Sequence, residues 1–344
     1  MSGNFTAEIQ AALDEKTKPQ GSLGRLELIA AQLATIQETL TPQVDRQRIC
    51  IFAASHGIAA EGVSAYPATV TAQMVLNFLA GGAAINVLTR ANGIELRVID
   101  CGVNDLESPL PPTHPSLRRA AIRPTGTHSF LDAAAMSEAE TRMAMALGAG
   151  EVNEAVADGI ELLGLGEMGI GNTTSASALA AFFTRLPLKD LIGRGTGIDD
   201  PGLAHKQQVI SQALLFHSDC AQPLERLAAV GGFEIAAMTG AVLEAHRKKL
   251  PVVIDGFIST AAVIVAHAME PRVLDICIFS HCSAECGHAA LLEYLKVQPI
   301  LSLELRLGEG SGAALAMPLV KSAARILSEM ATFSTAGVTD REAP

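Results

Sequence analysis

Cysteine is scarce in this sequence, six in 344 residues, too few for a disulfide scaffold, so reduced thiols are expected. Positive charge is short as well: 25 Lys and Arg stand against 36 Asp and Glu, a formal net charge of −11. A polyanion is repelled by such a chain unless a basic patch is segregated on one face, and none is visible. Arg247-Lys248-Lys249 is the solvated end of a helix, and nucleic acid is not an expected partner. No charge-free apolar run of about 18 or more residues is apparent, so a membrane partner is not expected. The start MSGNFTAEIQAAL lacks the basic and apolar parts of a signal peptide, which makes the cytoplasm the expected location. Absent too are a GxxxxGK[ST] phosphate loop, a GxSxG nucleophile elbow and a dinucleotide fingerprint: GEMGIG runs GxxGxG, with no acidic residue closing a following strand.

What remains is 49% hydrophobic and 18% charged, the composition of a compact chain with a large core. Short β-rich runs alternate with longer helical patterns. The expected strands are 48–55, 94–102, 160–165, 251–256, 274–281 and 300–308, most of them apolar on both faces. The expected helices are 69–80, 82–91, 133–158, 173–184, 204–218, 233–247, 258–269, 283–294 and 312–331. This order predicts an α/β fold with a mostly parallel sheet and helices on both faces. Residues 1–45 form two amphipathic helices, expected as a small helical domain joined by a C-terminal helix over 315–344, beside an α/β domain over 46–314. The segment 103–131 holds five prolines and no period, so it is expected to be a long ordered loop and an active-site wall. The tail after Ala331 is expected to fray at its end.

Ligands of open α/β sheets bind beyond the carboxyl ends of strands. The motifs that fall there are HGIAAEGVSAYP, DCGVND, GEMGIGNTT, DGFIST, FSHCSAECGH and LGEGSG. Glu309 in LGEGSG and Glu167 in GEMGIGNTT each lie among glycines where a strand gives way to a helix. Either a carboxylate merely complements a helix N-terminus there, or two carboxylates at neighbouring strand ends divide base and electrostatic work. GEMGIGNTT is an ordinary capped turn or an anion site in which glycines let a phosphate approach backbone amides. GRGTGIDDPGLAHK is either a turn before a capped helix or a loop that holds phosphate through Arg194 or Lys206. HCSAECGH brings His281, Cys282, Cys286 and His288 close in sequence. Its CxxxC spacing has no second knuckle, so apolar packing is favoured, with His281 lining the pocket and no metal held.

Taken in order along nearly the whole chain, KPQGSLGRLE, HGIAAEGVSAYP, NFLAGGAAINVL, GEMGIGNTT, GRGTGIDD, GGFEIAAMTG, VVIDGFISTAA, FSHCSAECGH and LRLGEGSGAA resemble the nicotinate-nucleotide:dimethylbenzimidazole phosphoribosyltransferase family. The resemblance implies transfer of phosphoribosyl from nicotinate mononucleotide to 5,6-dimethylbenzimidazole, giving α-ribazole 5′-phosphate and nicotinate in cobalamin assembly. It also implies a Rossmann-like catalytic domain, a small helical domain, a homodimer and small-molecule partners. Glu309 corresponds to the family's catalytic base and Glu167 to its second carboxylate. Ser64, Tyr66 and Gln73 fall on the base-binding side. The phosphoribosyl group is expected on Gly169, Gly171, Asn172, Thr173 and Thr174, with Gly193, Arg194, Gly195 and Lys206. The chemistry is compatible: a carboxylate takes the azole proton as the new bond forms, and a second one, Glu167, stabilises the cationic ribose or, as a milder alternative, binds the ribose hydroxyls. The leaving pyridinium is already cationic, so no metal or cofactor is expected. A kinase or oxidoreductase on a similar sheet and a non-catalytic relative are the competing readings.

Overall fold

A computed structural model describes residues 3–340; residues 1–2 and the last four of the tail lie outside it. Six parallel strands form one sheet: β1 (Gln47–Ala54), β2 (Glu95–Gly102), β3 (Leu117–Arg119), β4 (Leu162–Met168), β5 (Val252–Ile254) and β6 (Cys277–Phe279). Their order is β3-β2-β1-β4-β5-β6, and every pairing is parallel. From β1 the chain builds outward one way through β2 and β3, then returns to β1's other side with β4. The carboxyl ends of β1 and β4 therefore flank the point where the strand order reverses, and a crevice opens there.

The helices are α1 (Gly3–Asp14), α2 (Arg25–Gln37), α3 (Val70–Ala80), α4 (Ala84–Asn92), α5 (Glu138–Ala157), α6 (Asn172–Thr184), α7 (Leu188–Leu191), α8 (Asp200–Phe216), α9 (Pro223–Val230), α10 (Phe233–Lys248), α11 (Phe257–Met269), α12 (Cys286–Leu295), α13 (Ser311–Glu329) and α14 (Phe333–Ala336). Strand β1 shows why helices cover both faces. Cys50, Phe52 and Ala54 join an apolar layer with α5, α6 and α8 to α12. Ile49, Ile51 and Ala53 join another with α1 to α4 and α13. Alternating side chains of a strand point to opposite faces, and here both sets are buried.

Several expectations are corrected. Residues 300–308 do not form a strand: Leu301 makes a single bridge to His281, then the chain bends through Glu304 at φ 55°. Ile300 N–H donates to Phe279 O and Leu301 N–H to Ser280 O, a brief pairing beside β6, and the rest of the segment bonds the 282–284 turn. Within 274–281 only Cys277–Phe279 is strand, because Pro271 opens a 3-10 turn that runs to Ile276. Strand β3 lies inside the segment expected to be loop; ion pairs hold this polar edge, Arg119 Nε to Asp100 Oδ2 at 3.0 Å and Arg118 to Glu151 at 2.8 Å. The short helices α7, α9 and α14 are further additions to the expected set. Helix α8 begins earlier than expected, capped by Asp199, which accepts from the Gly202 amide at 2.9 Å. The stretch Val70–Asn92 is long and apolar enough to span a bilayer by length and composition. Gly81 breaks it at φ 78° into helices of 11 and 9 residues, each well under the ~20 that a span needs.

Candidate active site

The glycine turn after β4 sits at the strand-order reversal. A Cβ on Gly169 would lie 2.6 Å from Ala54 O and 3.1 Å from the His56 ring, and one on Gly171 would lie 3.3 Å from the Ala59 side chain. Gly171 also takes φ 97°, unfavourable for other residues. Both glycines thus let α6 start close against the turn that follows β1. Several amides of the turn are engaged within the protein: Asn172 N–H donates to Gly169 O, Thr174 N–H to Gly171 O, and Ile170 N–H to Thr71 Oγ1. Those amides are taken up within the protein, while the Asn172 side chain reaches Glu167 and the Thr173 hydroxyl accepts from Lys206. The Thr174 hydroxyl is buried with no partner among the described residues.

Three carboxylates converge beside it. Glu167 ends β4, is 6% exposed, and its Oε2 accepts from the Asn172 amide group. Burial, reinforced by the Asp255 charge, lifts its pKa to about 8. Asp255, next after β5, accepts the Gly310 amide at 3.1 Å and the Ala313 amide at 3.0 Å, and so caps α13. Burial outweighs those bonds and raises its pKa to about 7. Glu309 lies in the turn that Asp255 grips. Gly308, Glu309 and Gly310 all take positive φ, 84°, 63° and 83°. A left-handed glutamate is strained backbone, held here by its surroundings. Glu309 accepts from the Ile85 amide in the first turn of α4, yet burial dominates and raises its pKa. Its Oε2 is buried with no partner among the described residues. Gly166 makes the convergence possible, since a Cβ there would stand 2.7 Å from Gly310 N. A side chain on Gly308 would meet Glu167 Oε1 at 2.3 Å by the same construction.

Lys206 joins the two glycine loops. It is fully buried in α8, and its Nζ donates to Thr173 Oγ1 at 2.8 Å and to Gly193 O at 3.3 Å. Burial lowers its pKa to about 8. Gly195 packs against the same group: a Cβ there would lie 2.8 Å from Thr173 Oγ1 and 3.4 Å from Lys206 Nζ. Arg194 is turned to its own loop, bonding Ile198 O and the Asp200 carboxylate.

On the side assigned to the base, Ser64 Oγ lies 3.0 Å from Thr196 Oγ1, which ties that segment to the GRGTG loop. Tyr66 is 55% exposed and Gln73 is exposed on α3. A cavity of about 470 Å³ opens between the loop after β1 and the 103–131 segment, lined by His56, Thr69, Asn104 and Glu107 among others. The 103–131 segment forms a wall of this hollow, whose lining includes none of the three carboxylates. His281 is 3% exposed, and its ring lies where a Cβ on Gly312 would fall. His288 is committed on both nitrogens: Nδ1 accepts the Ser283 amide at 2.8 Å and Nε2 lies 3.0 Å from Thr260 Oγ1. Burial and the neighbouring His281 press its pKa to about 3, so it is neutral.

Two groups escape a reading of the sequence. Asp255 is visible there only as part of DGFIST, a motif at a strand end without a stated role. His56 and Glu234 form a fully buried pair, Nε2 to Oε1 at 2.5 Å, with Ser175 Oγ 3.1 Å from the other ring nitrogen. These residues stand 178 positions apart in the chain, and no spacing rule links them.

Comparison with known proteins bears on the chain as a whole. The family model described as Phosphoribosyltransferase matches residues 1–338. The nicotinate-nucleotide--dimethylbenzimidazole phosphoribosyltransferase of Cupriavidus necator is 53% identical over 331 residues, 96% of this chain and 94% of that protein. The protein of the same name from Chlorobium chlorochromatii is 53% identical over 334 residues, 97% and 93% of the two chains. The crystal structure of CobT from Thermus thermophilus superposes with a TM-score of 0.93 at 44% identity, covering 98% of this chain and 99% of that one.

Proposed function

The chain belongs to the nicotinate-nucleotide:dimethylbenzimidazole phosphoribosyltransferase family, and on that premise we propose how its own residues divide the reaction. It moves the phosphoribosyl group of nicotinate mononucleotide onto 5,6-dimethylbenzimidazole, releasing nicotinate and giving α-ribazole 5′-phosphate in cobalamin synthesis. The observation that carries the division of labour is the unpartnered Oε2 of Glu309, a base held in a strained turn at the strand-order reversal.

Glu309 takes the ring N–H proton of the benzimidazole as its other nitrogen attacks the anomeric carbon. Desolvation raises its basicity, and the Ile85 amide fixes the carboxylate's direction. Glu167 faces the cationic side of the reaction. Near neutral pH it is largely protonated, and a bound nicotinate ring carrying positive charge draws out its proton by favouring the ionised form. Asn172 holds that carboxylate, and Asp255 holds the Glu309 turn.

The 5′-phosphate rests on the Lys206 ammonium, the Thr173 hydroxyl and the Gly195 amide, which the fold brings to one place. Gly169, Gly171 and Thr174 support that group through the turn, and Gly193 and Arg194 through the facing loop. The base enters past Ser64, Tyr66 and Gln73. The apolar α3–α4 pair, less than half buried, supports a homodimer through that face, and residues 1–45 with the C-terminal helix form the helical part. Incubating the purified chain with nicotinate mononucleotide and a panel of bases, with product identification, tests the reading. A Glu309→Gln variant that still forms product at the native rate removes Glu309 as the base.

A further inference from the structure

We propose that the Glu285 carboxylate is a built-in occupant of the phosphate site, which the nucleotide's phosphate dianion displaces on entry. This rests on the reading of Lys206, Thr173 and Gly195 as that site. Glu285 stands at the N-cap of α12 but makes no capping bond to its own helix. It reaches instead to a loop 90 residues away, where its Oε1 accepts the Gly195 amide at 3.1 Å. The carboxylate lies directly against Gly193, since a Cβ there would fall 2.2 Å from Oε1. Its charge favours the ammonium form of Lys206, which burial opposes.

The arrangement has the chemistry of a phosphate complex, with one charge too few. A carboxylate accepts an amide hydrogen bond as one edge of a phosphate would, and its charge favours the buried cation without a direct ion pair. An ammonium has three donors, and Thr173 and Gly193 take two of Lys206's. Glu285 is only half-buried, on a flexible side chain, and returns to water without disturbing a helix cap. The consequence is a specificity device. A monoanion gains little by replacing one carboxylate with another, whereas a phosphate dianion adds charge and acceptors. Until the nucleotide enters, the Glu285 charge also offsets part of the cost of burying the ammonium.

The test is competitive inhibition by inorganic phosphate and by acetate, against nicotinate mononucleotide, at about pH 7.5, where Lys206 still largely keeps its proton and inorganic phosphate is mostly the dianion. In the native protein phosphate inhibits and acetate does not. In Glu285→Gln, phosphate inhibition tightens about 2- to 5-fold, the weight of one partly exposed charge pair, and acetate becomes an inhibitor. The KM for the nucleotide falls while that for the base stays put. Unchanged or weaker phosphate inhibition in Glu285→Gln overturns the proposal. Lys206→Gln and, should that fail to fold, Thr173→Ala probe the underlying site: both are expected to weaken phosphate inhibition. If they leave it at the native value, the site reading falls. If they weaken it while Glu285→Gln behaves as native, the displacement alone falls.

Discussion

Asp255 accepts the backbone N–H of Gly310 at 3.1 Å, so the end of one strand grips the turn that carries Glu309. The same carboxylate takes the Ala313 amide through its other oxygen. A helix cap and the posture of the proposed base are thereby one feature. The capping anion offsets the strain of three successive left-handed residues.

Replacing Asp255 by Asn presents an amide donor to one of two backbone donors and leaves that group buried without a partner. Stability is expected to fall by about 1–3 kcal/mol. Turnover falls more than the KM for either substrate, because Glu309 loses its fixed direction. Denaturant unfolding beside steady-state kinetics checks both, and native kinetics in Asp255→Asn would detach the cap from the chemistry.

Glu309→Gln keeps the shape and loses the proton acceptor. Turnover is expected to drop roughly 10²- to 10⁴-fold with little change in unfolding midpoint. The sensitive measurement is single-turnover formation of α-ribazole 5′-phosphate, which separates the chemical step from release.

The raised carboxylates set a pH dependence. Glu167 moves from 4.5 to about 8 and Asp255 from 3.8 to about 7. Between the ordinary and the raised values the unfolded chain has released these protons and the folded chain still holds them. Their contribution to stability is therefore full at low pH and is lost as pH rises toward about 8. Unfolding free energies at about pH 5 and about pH 8.5 are expected to differ more in the native protein than in Glu167→Gln. Equal differences in the two proteins would contradict a buried, proton-holding Glu167. On the catalytic side, kcat/KM for the nucleotide rises with pH through the same range, as the coupled carboxylates ionise.

Nicotinate riboside lacks the phosphate and should be used at least a hundredfold less efficiently than the mononucleotide, since two charge-assisted bonds at roughly 1.5–3 kcal/mol each are forfeited. Lys206→Gln narrows that gap. Gly171→Val acts differently: its side chain strikes Ala59 and the backbone cannot hold φ 97° without strain, so the unfolding midpoint falls and both substrates suffer. A Gly171→Val protein of native stability that has lost only phosphate discrimination would return the glycine turn to direct phosphate contact.

The layers of this fold were legible because their signals are local. Apolar runs such as IFAA and VVI mark strands buried on both faces, and amphipathic stretches mark the helices that cover them. Strand β3 was not, since Leu117–Arg119 carries no apolar pattern and is held at the edge by ion pairs with Asp100 and Glu151. The run 300–308 failed in the opposite sense: it has a strand's composition, but it meets the open edge beside β6 only at Ile300 and Leu301 before the chain turns away through Glu304 at φ 55°.

By itself the sequence determined which residue types stand at strand ends, Glu167 and Glu309 among glycines, and through its motifs the family. It also showed that GRGTG and Lys206 belong to one segment. Only the tertiary structure decided that Asp255 fastens the Glu309 turn, that Lys206 bridges Thr173 and Gly193, and that Gly169 and Gly171 serve packing against the end of β1. The physical reason is that period and composition act over a few residues, whereas convergence depends on strand order and register. Once β4 returned beside β1, the carboxyl ends of strands far apart in the chain were brought to one crevice.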